Sequence, residues 1–301
     1  MKTSFILHAR DKAKHVAYAA RSMLAQQTRE PIEILLSDQG STDNTAFILE
    51  EAARTYNGPH KVRFIQCPIL EPRGMAGLNA HINWTMTQTD ADVICQLSAD
   101  DFAMQGRVQQ VLDAFEAHKP SMVLTGMYYV SEDLQYLGES MWPDKDGWCE
   151  VAEMYPKFIG GSASQAWSHS FWDRMGPLEG VGSQDVVMPF VAACTPERAY
   201  YLHARLHAYR KVADLNNTGL EGILHAVPES SHAERVALEE LIHFQVIAGH
   251  YAALRKLDHM GLRSDVANQA LAQAILDRAA SWTNVRERMS LERIPPRAFK
   301  A

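Results

Sequence analysis

Val93-Ile94-Cys95-Gln96-Leu97-Ser98-Ala99-Asp100-Asp101-Phe102 decides how the remainder of the chain is read. The apolar run Val93-Ile94-Cys95 has the character of a buried strand, and two carboxylates stand side by side where it should run out. In an α/β sheet the carboxyl ends of strands face the crevice in which ligands bind. Adjacent aspartates repel each other, so a fold tolerates them best beside a cation or a donor-rich ligand. Oxygen-only ligands suit a hard divalent cation, Mg²⁺ or Mn²⁺, which keeps waters and can hold a diphosphate. The competing reading is a solvated acidic turn capping a helix that starts near Gln105.

Working outward, strands and helices alternate. Phe5-Ile6-Leu7 reads as a strand, Val16 to Gln27 as a helix, and Ile32 to Leu36 as a second strand ended by Ser37-Asp38-Gln39-Gly40. Ser41-Thr42-Asp43-Asn44-Thr45 offers caps for a helix to about Tyr56, and Lys61 to Gln66 is a third strand. After a loop from Pro72 to Gly77, Leu78 to Met86 has helical character. Val108 to His118 follows as an amphipathic helix, then a strand at Met122-Val123-Leu124. Tyr128 to Trp148 reads as a strand pair with a loop, and Gly160 to Ser164 as a break before a helical segment from Trp167 to Met175. This alternation predicts a mostly parallel sheet covered by helices on both faces. Beyond about Pro228, Ala233 to Leu257 and Ser264 to Trp282 read as long helices. They could form a helical hairpin on the sheet domain, a partner-binding face or a homo-oligomer contact.

The composition limits the classes open to the chain. At 301 residues there is length for a substantial core, and the apolar content of 47% with 22% charged residues is that of a globular protein. A net charge of −7 gives no general basic footprint for nucleic acid. Cys67, Cys95, Cys149 and Cys194 form no CxxC pair, which argues against structural zinc and a disulfide framework. No stretch approaches the ~18 unbroken apolar residues of a membrane span, and Phe5-Ile6-Leu7 is too short for a signal-peptide core. A soluble, cytoplasmic protein without an integral membrane segment is expected.

The run Ile34 to Thr45 resembles family 2 glycosyltransferases of the GT-A fold, whose pattern there is an apolar strand, two aspartates and Gly-Ser-Thr-Asp-x-Thr. This chain keeps Asp38 and Gly40-Ser41-Thr42-Asp43 but carries Gln39 for the second aspartate. Ser98-Ala99-Asp100-Asp101 resembles the family's Asp-Ala-Asp-Asp metal motif, with Ser98 for the first aspartate. Arg73-Gly74 through Asn79 is similar to the family's glycine-to-Arg-Asn stretch, with Leu78 where arginine is usual. Ser4 to Asp11 matches the opening strand and turn. The resemblance covers roughly residues 3 to 215. It implies a GT-A domain over 1–228, with 1–102 on the nucleotide-sugar side and 103–228 on the acceptor side, and a C-terminal helical extension over 229–301.

The resemblance also distributes roles. It implies a nucleoside-diphosphate sugar as donor and a divalent metal, Mn²⁺ or Mg²⁺. Asp38, with Ala9 and Asp11, would line the base and ribose subsite, and Arg73 would contact the base or the diphosphate. Asp100 would be the direct metal ligand, with Asp101 holding a metal-bound water, the ribose or the sugar. Asp185, after Gly180-Val181-Gly182-Ser183-Gln184, matches the general base of inverting transfer, although Gln184 replaces an acidic neighbour. Gly161 lies in the small-residue segment before the acceptor site. Trp167 and Trp172 are candidates for a sugar face or for core. Tyr209-Arg210-Lys211-Val212 is similar to a late Tyr-Arg-x-His element, so Arg210 would carry diphosphate charge while Val212 removes a histidine. His207 is a candidate to replace it.

Three readings compete at this stage. The first is an inverting transferase acting on an acceptor glycan or lipid-linked sugar. The second is a non-catalytic GT-A protein that binds nucleotide sugars or glycans, to which the substitutions Gln39, Ser98, Gln184 and Val212 point. The third keeps the chemistry but takes a hydroxylated base in modified DNA as acceptor. A nucleotidyltransferase would need a glycine-rich, basic phosphate loop near the N-terminus, which the sequence lacks.

Overall fold

The computed structural model describes residues 1–71, 74–140, 144–151, 162–179, 184–212 and 232–276, and for most of 232–246 the backbone alone. In the first third, strands β1 (Thr3–Ala9), β2 (Glu33–Asp38), β3 (Lys61–Gln66) and β4 (Val93–Ser98) alternate with helices α1 (Val16–Leu24), α2 (Thr45–Thr55) and α3 (Gly74–Met86). Then come β5 (Phe102–Ala103), α4 (Arg107–His118), β6 (Met122–Val130), β7 (Tyr136–Ser140), β8 (Gly147–Trp148) and β9 (Gln165–Ser168). Helices α5 (His169–Met175) and α6 (Gln184–Ala193), strand β10 (Ala199–Arg210), and helices α7 (His232–His259) and α8 (265–276) complete the described chain.

The strands form one sheet in the order β3-β2-β1-β4-β9-β6-β10-β5, with β7 on β6 and β8 on β10. From β3 to β4 every pairing is parallel. The chain runs outward from β1 to β2 and β3, then returns to add β4 on the other side of β1. That reversal opens a crevice at the carboxyl ends of β1 and β4, the switch point at which open α/β sheets bind ligands. Beyond β4 the directions mix. β9 is antiparallel to both β4 and β6, β10 is parallel to β6, and β5 is antiparallel to β10.

Strand alternation sorts the core into two layers. Phe5, Leu7, Ile34 and Leu36 pack with α1 and α4 on one face, and Ile6, Leu35 and Ile94 with α3, α5, α6 and the C-terminal helices on the other. In α1 the stripe Val16, Ala19, Ala20, Met23 has the i, i+3, i+4, i+7 spacing of an amphipathic helix, and all four are buried. The C-terminal helices share the second layer through Ala252, Ala253, Leu257, Ala267 and Leu271. They pack on the sheet domain. Among the described residues, no helix is long and apolar enough to cross a membrane.

Two expectations change. The segment expected to be helical from Trp167 is strand through Ser168, and the helix begins at His169, where the Ser168 hydroxyl accepts from Phe171 N–H at 3.2 Å. Trp167 and Trp172 are buried and stack on each other with centroids 6.3 Å apart, so they are core and present no sugar face. β10 escaped the sequence reading because its pattern of aromatic and basic residues is interrupted by register shifts around Arg205, which break the period of two.

Candidate active site

The loops after β1 and β2 are clamped together by reciprocal side-chain hydrogen bonds. Asp11 has a positive φ of 51°. Its N–H donates to Ser41 Oγ at 2.8 Å, and its Oδ1 accepts from Thr42 N–H at 2.7 Å. Lys12 N–H donates to Thr45 Oγ1 at 2.7 Å and Ala13 N–H to Asp43 Oδ2 at 3.0 Å. Asp38, buried at the end of β2, accepts from Ser41 N–H at 3.1 Å and from the Ser41 hydroxyl, closing the loop three residues on. Gly40 has a φ of +64°, a left-handed backbone that favours glycine, and a Cβ there would also displace the exposed end of Leu70. The Gly40–Asp43 run and Asp11 thus act locally as a clamp fixing the mouth of the crevice.

Gln39 explains its own departure from the two-aspartate pattern. Its Nε2 donates to the carbonyls of Ile69 and Gly77, both at 2.9 Å. A carboxylate has no hydrogen to give, so an aspartate here would leave two carbonyls facing a like partial charge.

A cavity of about 150 Å³ lies at the strand ends. Its walls bring together Ala9, Arg10 and Lys12 after β1, Ser98 to Asp101 after β4, and Asp185 on α6. The two adjacent aspartates are not equivalent. Asp100 Oδ2 is 3.2 Å from Lys12 Nζ, and both side chains are largely buried, at 16% and 11% exposure. Asp101 is buried more deeply, and its Oδ1 accepts from Arg210 N–H at 2.9 Å. Burial, and after it the charge of Asp100, pushes the Asp101 carboxyl well above the usual range, against the pull of that N–H and of Arg107 and Arg210. Arg107 lies in the same buried cluster, donates to Gln96 O at 2.9 Å and sits 5.2 Å over the Phe5 ring. Burial lowers it to about 10.

Arg210 does not line the cavity. Its guanidinium donates to His15 Nδ1 at 2.8 Å and lies over Tyr18, so the contribution of this residue to the site is its backbone N–H on Asp101. Val212 and His207 are buried away from the cavity wall. Asp11 and Asp38 support the wall without lining it. Arg73, Gly161 and the loop from Gly180 to Ser183 lie outside the described residues.

Asp185 is positioned by a departure from regular helix geometry. Pro189 sits inside α6 and has no N–H to donate to the carbonyl four residues earlier, which belongs to Asp185. Gln165 Nε2, from β9, donates to that carbonyl at 3.0 Å instead. The side chain therefore ties the first turn of α6 to the sheet. Beneath the cavity, His8 and His81 form an edge-to-face pair 4.9 Å apart. His8 Nε2 meets Thr85 Oγ1 at 2.9 Å and His81 Nε2 meets Ser37 Oγ at 2.6 Å. Burial lowers His8 to about 3 and His81 well below its ordinary value, so the floor is polar and uncharged at neutral pH.

Arg10, Lys12 and Gln165 are site residues that the sequence reading did not select. The triplet Arg10-Asp11-Lys12 directly after a strand was the available signal for the first two. Nothing local marks Gln165.

Parallel strands whose order reverses beside β1, with carboxylates and cations at their ends, define an open α/β domain with a ligand crevice at its switch point. Known proteins agree. The sequence model described as Glycosyl transferase family 2 matches residues 4–168, and the chain belongs to that family. An uncharacterized glycosyltransferase of Nostoc sp. (strain PCC 7120) is 28% identical over 116 residues, which are 38% of this chain and 33% of that protein. The chain thus matches about a third of the length of that relative. S. aureus TarS 1–349, solved in complex with UDP-GlcNAc, superposes with a TM-score of 0.56 at 14% identity, over 95% of this chain and 79% of that one. The mannosyltransferase PcManGT from Pyrobaculum calidifontis, solved with GDP-Man and Mn²⁺, gives 0.55 at 14% identity, over 95% and 84%. The fold is that of GT-A glycosyltransferases.

Proposed function

We propose that the chain is an inverting glycosyltransferase that moves a sugar from a nucleoside-diphosphate sugar to an acceptor hydroxyl in a single displacement. The observation that carries this reading is the cavity itself. It sets Asp185, on a helix from the acceptor half, in one 150 Å³ space with Lys12 and Asp100 at the parallel strand ends. In the proposed reaction Asp185 takes the proton of the acceptor hydroxyl as that oxygen bonds to the anomeric carbon. The bond from that carbon to the diphosphate breaks on the opposite face, and its electron pair leaves with the diphosphate. Arg10 and Lys12 supply positive charge where the leaving group gains negative charge. The structural relatives in complex with UDP-GlcNAc and GDP-Man support a donor of this class.

Asp100 is the carboxylate that a divalent metal would use here, and it is paired with Lys12 at 3.2 Å. Among the described residues no three His, Cys, Asp or Glu side chains could hold a metal by themselves, and Asp101 is engaged by Arg210 N–H. One carboxylate with diphosphate oxygens and waters is nonetheless a normal magnesium or manganese environment. When bound, such a cation would polarise the diphosphate as a Lewis acid.

The test is donor binding and hydrolysis across UDP- and GDP-sugars for the native chain, Asp100→Ala and Asp185→Asn. One donor should be bound and slowly hydrolysed, with binding weakened in Asp100→Ala and retained in Asp185→Asn. A folded chain that binds no nucleotide sugar would refute the reading.

A further inference from the structure

We propose that Lys12 is the resident cation of the donor site: it receives the donor's diphosphate and competes with a divalent metal for Asp100. The inference rests on the transferase reading above. It starts from the ion pair between Lys12 Nζ and Asp100 Oδ2 at 3.2 Å, in which both partners line the cavity.

Charge balance across the site leads to the same assignment. A site that depends on a dication needs acidic groups that are ionised and turned toward it. Here Ser98 supplies no carboxylate, and Asp101 is buried with one oxygen accepting from Arg210 N–H. Both aspartates line the space, and Asp100, the more exposed of the two, is already paired with a lysine. Among the described residues, the other Asp, Glu, Lys and Arg side chains lining the cavity are Asp101 beside Asp100, Arg10 on the same side and Asp185 across it. A metal placed on Asp100 would sit beside an ammonium, and the two cations repel.

Lys12 is also held where an anion would need it. Its own N–H is fixed to Thr45 Oγ1 at 2.7 Å, and the residues on either side are fixed to Ser41 and Asp43. The clamp between the β1 and β2 loops thus delivers this side chain to the cavity at little further entropic cost. An ammonium has three N–H donors. A small rotation lets it share them between Asp100 and a phosphate oxygen in charge-assisted hydrogen bonds. Asp100 in this arrangement orients Lys12, so the Asp100–Lys12 pair does the work otherwise asked of a carboxylate–metal pair.

The experiment titrates UDP and GDP calorimetrically into the full chain, in EDTA and in Mn²⁺, for the native protein, Lys12→Met and Lys12→Arg. Mn²⁺ binding without nucleotide is followed by electron paramagnetic resonance. The native chain should bind one of the nucleotides in EDTA, with Mn²⁺ improving affinity by no more than about threefold. Lys12→Met should lose about tenfold or more in EDTA, the cost of one charge-assisted hydrogen bond, and regain binding with Mn²⁺. Its Mn²⁺ affinity should rise about tenfold by the same measure. Lys12→Arg should retain binding in EDTA, which a merely structural defect in Lys12→Met would not predict. Native binding that vanishes in EDTA, with Mn²⁺ affinity unchanged in Lys12→Met, overturns the inference and leaves the transferase reading standing. Folded proteins that bind neither nucleotide, with or without Mn²⁺, overturn that reading and this inference with it.

Discussion

The two halves of the sheet hold their functional groups by different means. On the β3-β2-β1-β4 side the pairings are all parallel, and the loops after β1 and β2 are cross-linked by Asp11, Ser41, Asp43 and Thr45. On the β9-β6-β10-β5 side parallel and antiparallel pairings mix, and Asp185 enters the cavity from a proline-containing helix tied to β9 by the side chain of Gln165. The first arrangement suits a site for a rigid, charged donor, since several short hydrogen bonds fix it before the ligand arrives. The second places one group on an element that could carry different acceptor contacts. Damage to the first half should therefore register mainly as lost stability and nucleotide binding, and damage to the second mainly as lost turnover.

The sharpest test of that division is Asp185→Asn. If it is the base, transfer should fall by about 10³-fold while nucleotide affinity changes little, read by steady-state kinetics with parallel titration calorimetry. A matching loss of nucleotide binding would move Asp185 to the donor side and break the comparison. Next in size is Gln39→Leu, which removes two buried hydrogen bonds and leaves the Ile69 and Gly77 carbonyls without this partner. Chemical denaturation should show a loss of about 2–4 kcal/mol. An unchanged midpoint would mean the loop finds other partners.

The buried histidines beneath the cavity sharpen the donor side further. His8 and His81 are held neutral, with folded values below the ordinary one, so between their folded values and about 6.5 the unfolded chain binds more protons than the folded one. Their contribution to stability is complete above about pH 6.5 and is lost as pH falls through that window. Replacing His81 with Asn should make the drop in unfolding free energy between pH 7 and pH 5 smaller by about 2 kcal/mol. The smallest expected effect is in Gln165→Leu. It should lower kcat by about tenfold, the equivalent of one hydrogen bond, with nucleotide affinity unchanged. Equal losses in stability and none in kcat would make Gln165 a purely structural residue.

Much of the donor half was legible because its information is local. The short apolar runs Ile34-Leu35-Leu36 and Val93-Ile94-Cys95, followed by Ser37-Asp38-Gln39-Gly40 and Ser98-Ala99-Asp100-Asp101, announce strands and the loops after them. Asp100 was selected from such a pattern and Asp185 from the family resemblance, and both line the cavity. Arg210 was also selected, yet its guanidinium turns to His15, a residue far away in the chain. Trp167 was assigned to a helix because an aromatic residue between polar ones fits either period.

By itself the sequence determined the alternating strands and helices and a mostly parallel sheet with carboxylates at its strand ends. The apolar period of each element is written within about a dozen neighbouring residues, so the elements themselves carry a local signature. Only the tertiary structure decided that Asp100 faces the cavity with Lys12 upon it while its neighbour Asp101 is buried under Arg210 N–H. It also decided that Gln165 would complete a helix broken by Pro189. Those partners come from elements brought together by packing, where burial and the nearest charge set what a side chain can do.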